Sequence, residues 1–392
     1  MFMKKKNFFV LLGVLLVTIL INVIAWQSTV FCDFYVKHVF PLWINTYGRI
    51  TGLVSFSVGE IMIALGVILI AFAVLLGLTA VIFLAVAKHF PICSKVKLFC
   101  KYFYKSLAGV LVIVFAVMTL NCFTLYHCST FDEKYLQTEK EEYSLEELMN
   151  LRDYVVIQAN ALSAMVDRDE HQNIIYSGNM EETAIRSMQS LGEQYDQLAG
   201  YYPTPKPIAT SDFLSQQHMK GYYFPFSMEA NYNKVMDTMN KPATMCHELA
   251  HLKGFIYEDE ANLIGFLACI NSDDVAFQYS GYLSVLNYID NDFYESINRN
   301  KEIYKSHVQI KSRVKKDNVF LTEETWQEVE KKAVIKTATV KKASNAFVDT
   351  TLVLNGIPDG SLSYTRVVGL MLDYYDCNCD IYENGTYLVK GQ

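Results

Sequence analysis

The chain has 392 residues, a hydrophobic fraction of 52% and a net charge of −7. Residues 1–105 carry 10 of the 34 Lys and Arg residues and 2 of the 41 Asp and Glu residues, which leaves 24 basic and 39 acidic residues for the remainder. This acidic remainder has no basic patch and no nucleotide-binding motif, which excludes nucleic acids and nucleotides as expected partners.

Three long apolar runs lie in the first third of the chain, at about residues 7–26, 61–87 and 107–126. Each is long enough to cross the roughly 30 Å hydrocarbon core of a bilayer as a helix. No convincing small-x-small cleavage site follows the first run, so we interpret it as a retained anchor rather than a signal peptide. The sequence therefore predicts a membrane domain at residues 1–126, with the lipid bilayer as a partner.

The basic residues near these runs predict their orientation. Three lysines precede the first run and five lie between the second and third, whereas only two basic residues lie between the first and second. Lys and Arg favour the cytoplasmic side of a membrane. We therefore expect a multi-pass protein of the cell membrane with a cytoplasmic N-terminus and an extracytoplasmic domain at residues 127–392.

Helical patterns dominate after the membrane part. Ser144-Leu145-Glu146-Glu147 is a capping box that opens the first of these helices. Residues 291–345 are charged and mostly helical in pattern. That first helix covers about residues 144–166. The further predicted helices cover about residues 181–198, 241–253, 258–271, 272–290 and 363–375.

An aromatic segment, residues 221–232, precedes the helix at 241–253. Its aromatic content and single proline favour an extended chain at the edge of a sheet. Edge strands beside the active-site helix of zinc peptidases receive substrate as an added strand. Tyr222, Tyr223, Glu229 and Asn231 are accordingly the candidate substrate-binding residues, and an ordinary core strand is the alternative.

A His-Glu-x-x-His motif lies in the next helix, at residues 247–251. Positions i and i+4 share one face of an α-helix, so His247 and His251 can direct their nitrogen atoms at one metal ion. Glu248 lies one step around the helix, where a zinc hydrolase needs a general base. The motif predicts a Zn²⁺ site with Glu248 as the catalytic residue.

The motif helix has sequence signals at both ends. Asn240 is a plausible N-cap and Pro242 fits the first turn. Gly254 suits a left-handed turn after the helix. In metzincins a third histidine follows three residues after such a glycine, but this position is Tyr257 here.

A glutamate on a second helix therefore completes the predicted metal site. Glu258 and Glu260 lie about 200° apart around a helix, so both cannot face the metal. The Glu258 face continues through small residues that permit close packing on the motif helix, which makes Glu258 the predicted third ligand and Glu260 the alternative. Asn262, one turn after Glu258, is the expected partner of a metal ligand. Candidate donors to a developing oxyanion are His218, Tyr222, Tyr223 and Tyr257.

Three groups of motifs together resemble the domain of unknown function 3810 family. These are uncharacterised bacterial membrane proteins similar to gluzincin-type zinc metallopeptidases, and the resemblance implies a zincin-like domain outside the membrane. The chain departs from the family pattern at residues 227–228, Ser-Met, where Thr-Gly or similarly small residues are expected. The motifs are residues 221–226 with 229–231, residues 246–251 with 258–262, and residues 354–356 with 363–364 and 366–368.

The sequence thus predicts a mainly α protein, with three transmembrane helices followed by an α+β zincin-like domain that has a small edge sheet. The leading functional hypothesis is a membrane-anchored zinc metallopeptidase that hydrolyses extracytoplasmic peptides or proteins. One alternative is a zinc-binding sensor or regulatory module with little or no turnover. Another is a hydrolase of a different amide, such as one in the cell wall. Glu248 favours an enzyme, because a binding module has no need of a general base.

Overall fold

The computed structural model describes residues 5–86, 92–136, 142–354, 366–383 and 386–389, and most of them are helical. The helices are α1 (Lys5–Ala25), α2 (Thr29–His38), α3 (Phe40–Trp43), α4 (Arg49–Thr51), α5 (Val58–Val86), α6 (Ile92–Asn121), α7 (Leu145–Leu162), α8 (Met180–Gln194), α9 (Ser211–Gln216), α10 (Lys241–His251), α11 (Glu258–Ile270), α12 (Val275–Ser296), α13 (Lys301–Ser306), α14 (Ser312–Asp317), α15 (Glu323–Lys332), α16 (Thr337–Leu354) and α17 (Arg366–Asn378). The strands are β1 (Lys206–Ile208), β2 (Gly221–Phe224), β3 (Glu229–Asn233), β4 (Cys379–Glu383) and β5 (Thr386–Val389).

Three of these helices are long and apolar enough to cross a membrane, which confirms the three predicted runs. The third, α6, begins at Ile92, well before the predicted start at residue 107. Lysines favour helix formation, and their long stems can lie along apolar surface, so the basic stretch continues the helix. The same helix ends at Asn121, and a 3₁₀ turn at Phe123–His127 follows it.

The predicted aromatic segment forms a hairpin rather than one strand. The strand order is β1-β3-β2, with β1 parallel and β2 antiparallel to β3. The small sheet was therefore predicted correctly, and β2 is one of its edges among the described strands. Met228, where a small residue was expected, has φ of 51° in the hairpin turn, a conformation that costs a side-chain-bearing residue about 1–2 kcal/mol.

Residues from both predicted domains share one hydrophobic core. Tyr35, Phe40 and Ile44 lie between the first two apolar helices, and they cluster with Leu125 and with the buried faces of α7, α10, α11 and α12. Each of these four side chains is at most 5% exposed. Removing residues 1–126 would therefore strip side chains from the core that supports the sheet and α10.

Helix boundaries differ from the sequence predictions by a few residues at several ends. The capping box at Ser144 is present as predicted, and Asp274 caps α12, which extends to Ser296 instead of Asp290. The hairpin of β4 and β5 was not predicted. Four residues of the third family motif lie outside the described part of the chain: Asn355, Gly356, Ser363 and Tyr364.

Candidate metal centre

Helix α10 carries the His-Glu-x-x-His motif and is fixed at both ends. Pro242 lies in its first turn as predicted, but the side chain of Asn240 does not cap the helix and instead donates to the carbonyl of Val319 at 2.7 Å. After the helix, Gly254 has φ of 92°. A Cβ at this glycine would also clash with Val36, so glycine is required both for the turn and for close packing.

The two histidines and Glu258 converge on one point. The Nε2 atoms of His247 and His251 are 3.1 Å apart. The Oε2 atom of Glu258 lies 3.2 Å from Nε2 of His247, and its Oε1 atom lies 3.8 Å from Nε2 of His251. Ligand atoms placed 2.0–2.1 Å from a tetrahedral zinc are roughly 3.3 Å from one another. The three side chains therefore fit the spacing of a zinc site.

The outer nitrogen of each imidazole is held by an oxygen atom. Nδ1 of His251 lies 2.7 Å from the carbonyl oxygen of Phe255, and Nδ1 of His247 lies 2.9 Å from Oδ1 of Asn262. A hydrogen on each Nδ1 leaves the neutral imidazole with a lone pair on Nε2. The two Nε2 atoms, 3.1 Å apart, then face each other with lone pairs that one cation can accept. The donor set thus fits a metal ion, and Asn262 has the partner that the sequence predicted.

Glu258 and Glu260 face different surroundings, as their separation around the helix requires. Glu260 is 2% exposed and accepts a hydrogen bond from the backbone N–H of Phe131. Glu258 is 40% exposed, and its carboxylate faces the two histidines. The structure therefore brings Glu258, rather than the alternative Glu260, to the candidate site.

Glu248 lies beside the same cluster. Potential ligand atoms of His247, Glu248 and His251 lie within 4.8 Å of one another. Glu248 is 4% exposed, and its Oε2 atom has no hydrogen-bond partner among the described residues. A Cβ on Gly221 would lie 2.6 Å from Oε1 of Glu248, so strand β2 passes directly against this carboxylate. Two carboxylates therefore reach the cluster, and that of Glu258 lies within 4 Å of both Nε2 atoms.

The ionisable groups of the cluster are strongly perturbed. Burial raises the pKa of Glu248 to about 8, with the nearby charge of Glu258 raising it further and the charge of His247 and the Tyr223 N–H opposing the shift. For Glu258 burial acts upward, but the hydrogen bond and charge of His247 hold the pKa well below its usual range. Burial and the charge of His247 lower the pKa of His251 to about 4. Burial also opposes the charged form of His247, but Glu258 raises the pKa of this residue. The cluster thus holds one carboxyl group whose pKa is lowered and a second whose pKa is raised.

A cleft of about 470 Å³ contains the cluster. Tyr222 and Tyr223, both predicted to contact substrate, line this cleft. Glu229 and Asn231 were predicted to contact substrate as well, but neither is among the described residues that line the cleft. Both are at most 1% exposed, because β3 is the central strand of the sheet.

Sequence reasoning missed Tyr288 of α12, which also lines the cleft. Burial and the charge of Glu258 raise the pKa of Tyr288. Of the predicted oxyanion donors, Tyr223 donates to the carbonyl of Asn121 at 3.0 Å and Tyr257 donates to the carbonyl of Tyr126 at 2.7 Å. Helical periodicity had marked the aromatic residues of α12 only as a buried face, and nothing local identified one of them as part of the site.

The fold and the site define a mainly helical protein with three helices able to span a membrane and a cluster of two histidines and two glutamates in a cleft. Over residues 35–372 the chain matches the family described as "Protein of unknown function (DUF3810)". This match covers most of the chain, which belongs to this family. No curated protein and no solved structure matches the chain.

Proposed function

We propose that this protein is a membrane-anchored zinc metallopeptidase that hydrolyses peptide bonds in extracytoplasmic peptides or proteins. The convergence of His247, His251 and Glu258 at zinc-ligand spacing carries the proposal. Glu248 supports an enzyme over a purely structural site, because a structural zinc site has four protein ligands and no adjacent base. The edge strand β2 supports a peptide substrate, because a sheet edge offers backbone hydrogen bonds to an extended chain.

In this proposal His247, His251 and Glu258 hold the zinc ion. When bound, zinc polarises a substrate carbonyl and lowers the pKa of water toward neutrality. Glu248 takes one proton from the attacking water and passes it to the amine that leaves when the peptide C–N bond breaks. The Glu248 carboxylate is the base in the first half of that transfer, and the protonated carboxyl that results is the acid in the second half. Strand β2 orients the substrate backbone across the cleft.

The charge distribution supports an extracytoplasmic position for the cleft. The three lysines before the first apolar helix and the five between the second and third belong on the cytoplasmic side by the positive-inside rule. Most residues that line the cleft come after the third apolar helix in sequence, and they then face the opposite side of the membrane. Reporter fusions at the two termini would test this placement, with a cytoplasmic C-terminus contradicting it.

The test uses the full chain in detergent, because residues before 127 belong to the shared core. Bound zinc is measured by mass spectrometry, and cleavage of a peptide library is compared between the wild type and Glu248→Gln. Glu302→Gln is the matched control, since the Glu302 side chain is 85% exposed and is not among the described residues that line the cleft. We expect stoichiometric zinc in all three proteins and loss of cleavage only in Glu248→Gln. Stoichiometric zinc without any Glu248-dependent cleavage would instead favour the sensor or regulatory module.

A further inference from the structure

The outer edge of β2 runs from the candidate metal centre toward the apolar helices. At one end of the strand Gly221 packs against Glu248. At the other end a Cβ on Gly59, in the first turn of α5, would lie 2.8 Å from the ring of Phe224. The strand rises about 3.3 Å per residue, so the catalytic carboxylate and the start of the second apolar helix are separated by roughly 10 Å along β2.

The turn after β2 is held by the ends of both neighbouring apolar helices. Nδ2 of Asn121, the last residue of α6, donates to the carbonyl of Pro225 at 2.9 Å. The carboxylate of Glu229 accepts the backbone N–H groups of Val58 and Gly59 at 3.2 and 2.8 Å. These hydrogen bonds join the hairpin of β2 and β3 to the end of α6 and the start of α5. The hairpin end of the cleft therefore lies where these apolar helices end and begin.

The end of the third apolar helix also forms part of the cleft wall. Met118, Cys122 and Tyr126 line the same cleft as His247 and Glu248. All three belong to the apolar segment Ser94–His127, which is long and apolar enough to cross a membrane. The cleft is therefore continuous from the metal cluster to a candidate membrane-spanning helix.

The segment that leads into α5 exposes large apolar side chains. Ile50 is 63% exposed and Leu53 is 84% exposed, immediately before the second apolar helix. Apolar side chains in such a position are stabilised by contact with the acyl chains and headgroups at a bilayer surface. A bilayer around α5 and α6 then reaches the hairpin turn at residues 225–228.

We infer that the substrate is a polypeptide anchored in the same membrane, bound as an extended strand along β2 and cut a few residues outside the bilayer. This inference rests on the proposed peptidase function. An extended chain laid on β2 passes the metal cluster and reaches the membrane surface after about three or four more residues at strand spacing. A soluble peptide must instead enter a cleft of which one end is bounded by the membrane.

The test uses the full chain in liposomes with a library of membrane-anchored substrates. Each substrate joins one Leu-rich transmembrane helix to a randomised segment of about two dozen residues. At roughly 3.3 Å per residue, this segment is far longer than the distance along β2 from the candidate metal centre to the membrane. The helix is placed at either end of the segment. Mass spectrometry maps the cut positions, and the same segments without the helix serve as the soluble control.

We expect cuts to concentrate within about the first five residues from the membrane, because the cluster lies only about three or four residues from the membrane surface along β2 at strand spacing. The soluble segments should be cut roughly tenfold more slowly, since anchoring raises the effective concentration of the substrate. Glu248-dependent cuts spread evenly along the anchored segments would overturn the inference and leave the peptidase function intact.

A binding measurement separates this inference from catalysis. A photo-crosslinking amino acid is introduced at Met118, in the Glu248→Gln background, and the crosslinked substrate position is mapped. The control position is Phe213, which is 51% exposed on α9. Crosslinks from position 118 to membrane-proximal residues support the inference even if no cleavage occurs, in which case only the peptidase function fails. Crosslinks at position 118 that match those at position 213 would contradict it.

Discussion

The Oδ1 atom of Asn262 lies 2.9 Å from the Nδ1 atom of His247 and so fixes which imidazole nitrogen faces the metal cluster. Asn262 and Glu258 are one turn apart on α11. One helix therefore supplies both the proposed carboxylate ligand and the group that orients a proposed histidine ligand, and small shifts of α11 against α10 would affect both at once.

Replacing Asn262 should weaken metal binding. Asn262→Leu removes the acceptor for the Nδ1–H of His247, and loss of such a partner typically lowers metal affinity roughly 10–100-fold. Asn262→Asp keeps an acceptor at the same position and should retain most of the affinity. Zinc affinity is measured by competition with a chelating dye, and equal affinities for the two variants would show that this hydrogen bond does not orient the ligand.

The two neighbouring glutamates of α11 should give opposite results. Glu258→Ala removes the anionic ligand and should abolish stoichiometric zinc binding. Glu260→Ala should keep the zinc but lower the free energy of unfolding by about 1–3 kcal/mol, because the buried N–H of Phe131 loses its acceptor. Zinc content and urea unfolding are measured on both variants, and undiminished zinc in Glu258→Ala would refute the ligand assignment.

Tyr288 is expected to stabilise negative charge that develops on the substrate carbonyl. Tyr288→Phe should lower kcat by about 10²-fold, the usual effect of removing one oxyanion donor. The KM and the zinc content should be unchanged, because neither the peptide edge nor a ligand is altered. Tyr294→Phe, on the same helix outside the described cleft lining, is the control. A changed zinc content in Tyr288→Phe would point to a structural role instead.

The sequence was most informative where local geometry alone determines the outcome. The i, i+4 spacing placed His247 and His251 together, and Gly254 marked the left-handed turn that begins the return of the chain. Helical periodicity also separated Glu258 from Glu260 correctly, because a difference of two residues places their side chains on different faces.

The sequence could not show which distant segments meet. Glu229 was predicted to bind substrate, because it lies in the segment 221–232 that was interpreted as an extended edge strand. It is instead a buried acceptor for Gly59, 170 residues away in the chain. Likewise, Tyr288 belongs to the site through the packing of α12 on α11, and no local pattern encodes that contact. Composition and periodicity predict which face of a helix or strand is buried. Which buried faces pack against each other depends on the whole core.

Asp33 should contribute stability that depends on pH. Burial opposes the charged form, but hydrogen bonds from the hydroxyl and N–H of Ser129 and the charge of Lys134 lower its pKa from the ordinary value. Because the folded-state pKa is the lower one, the stabilisation is present above the unfolded pKa of about 3.9 and is lost as the pH falls through the folded value.

This contribution is measured as the fall in Tm of the full chain in detergent between about pH 5 and pH 3. Asp33→Asn cannot lose a charge and should show a smaller fall over this range. Asp273→Asn is the control, because Asp273 is an exposed aspartate between α11 and α12. Equal falls in the wild type and Asp33→Asn would mean that other carboxylates determine the acid sensitivity.

Stability should depend strongly on the buried ion pair of Lys206 and Glu229, which joins the sheet to the second apolar helix. Lys206 is 2% exposed and Glu229 is 1% exposed. Glu229→Gln leaves the ammonium of Lys206 buried without a counter-charge, which should lower the free energy of unfolding by about 3–5 kcal/mol. The matched control adds Lys206→Met to Glu229→Gln, which removes both charges and keeps an amide oxygen for the N–H of Gly59. Urea unfolding should show that the double variant recovers much of the stability. A double variant as unstable as the single one would assign the effect to the N–H groups at the start of α5 rather than to the unpaired ammonium.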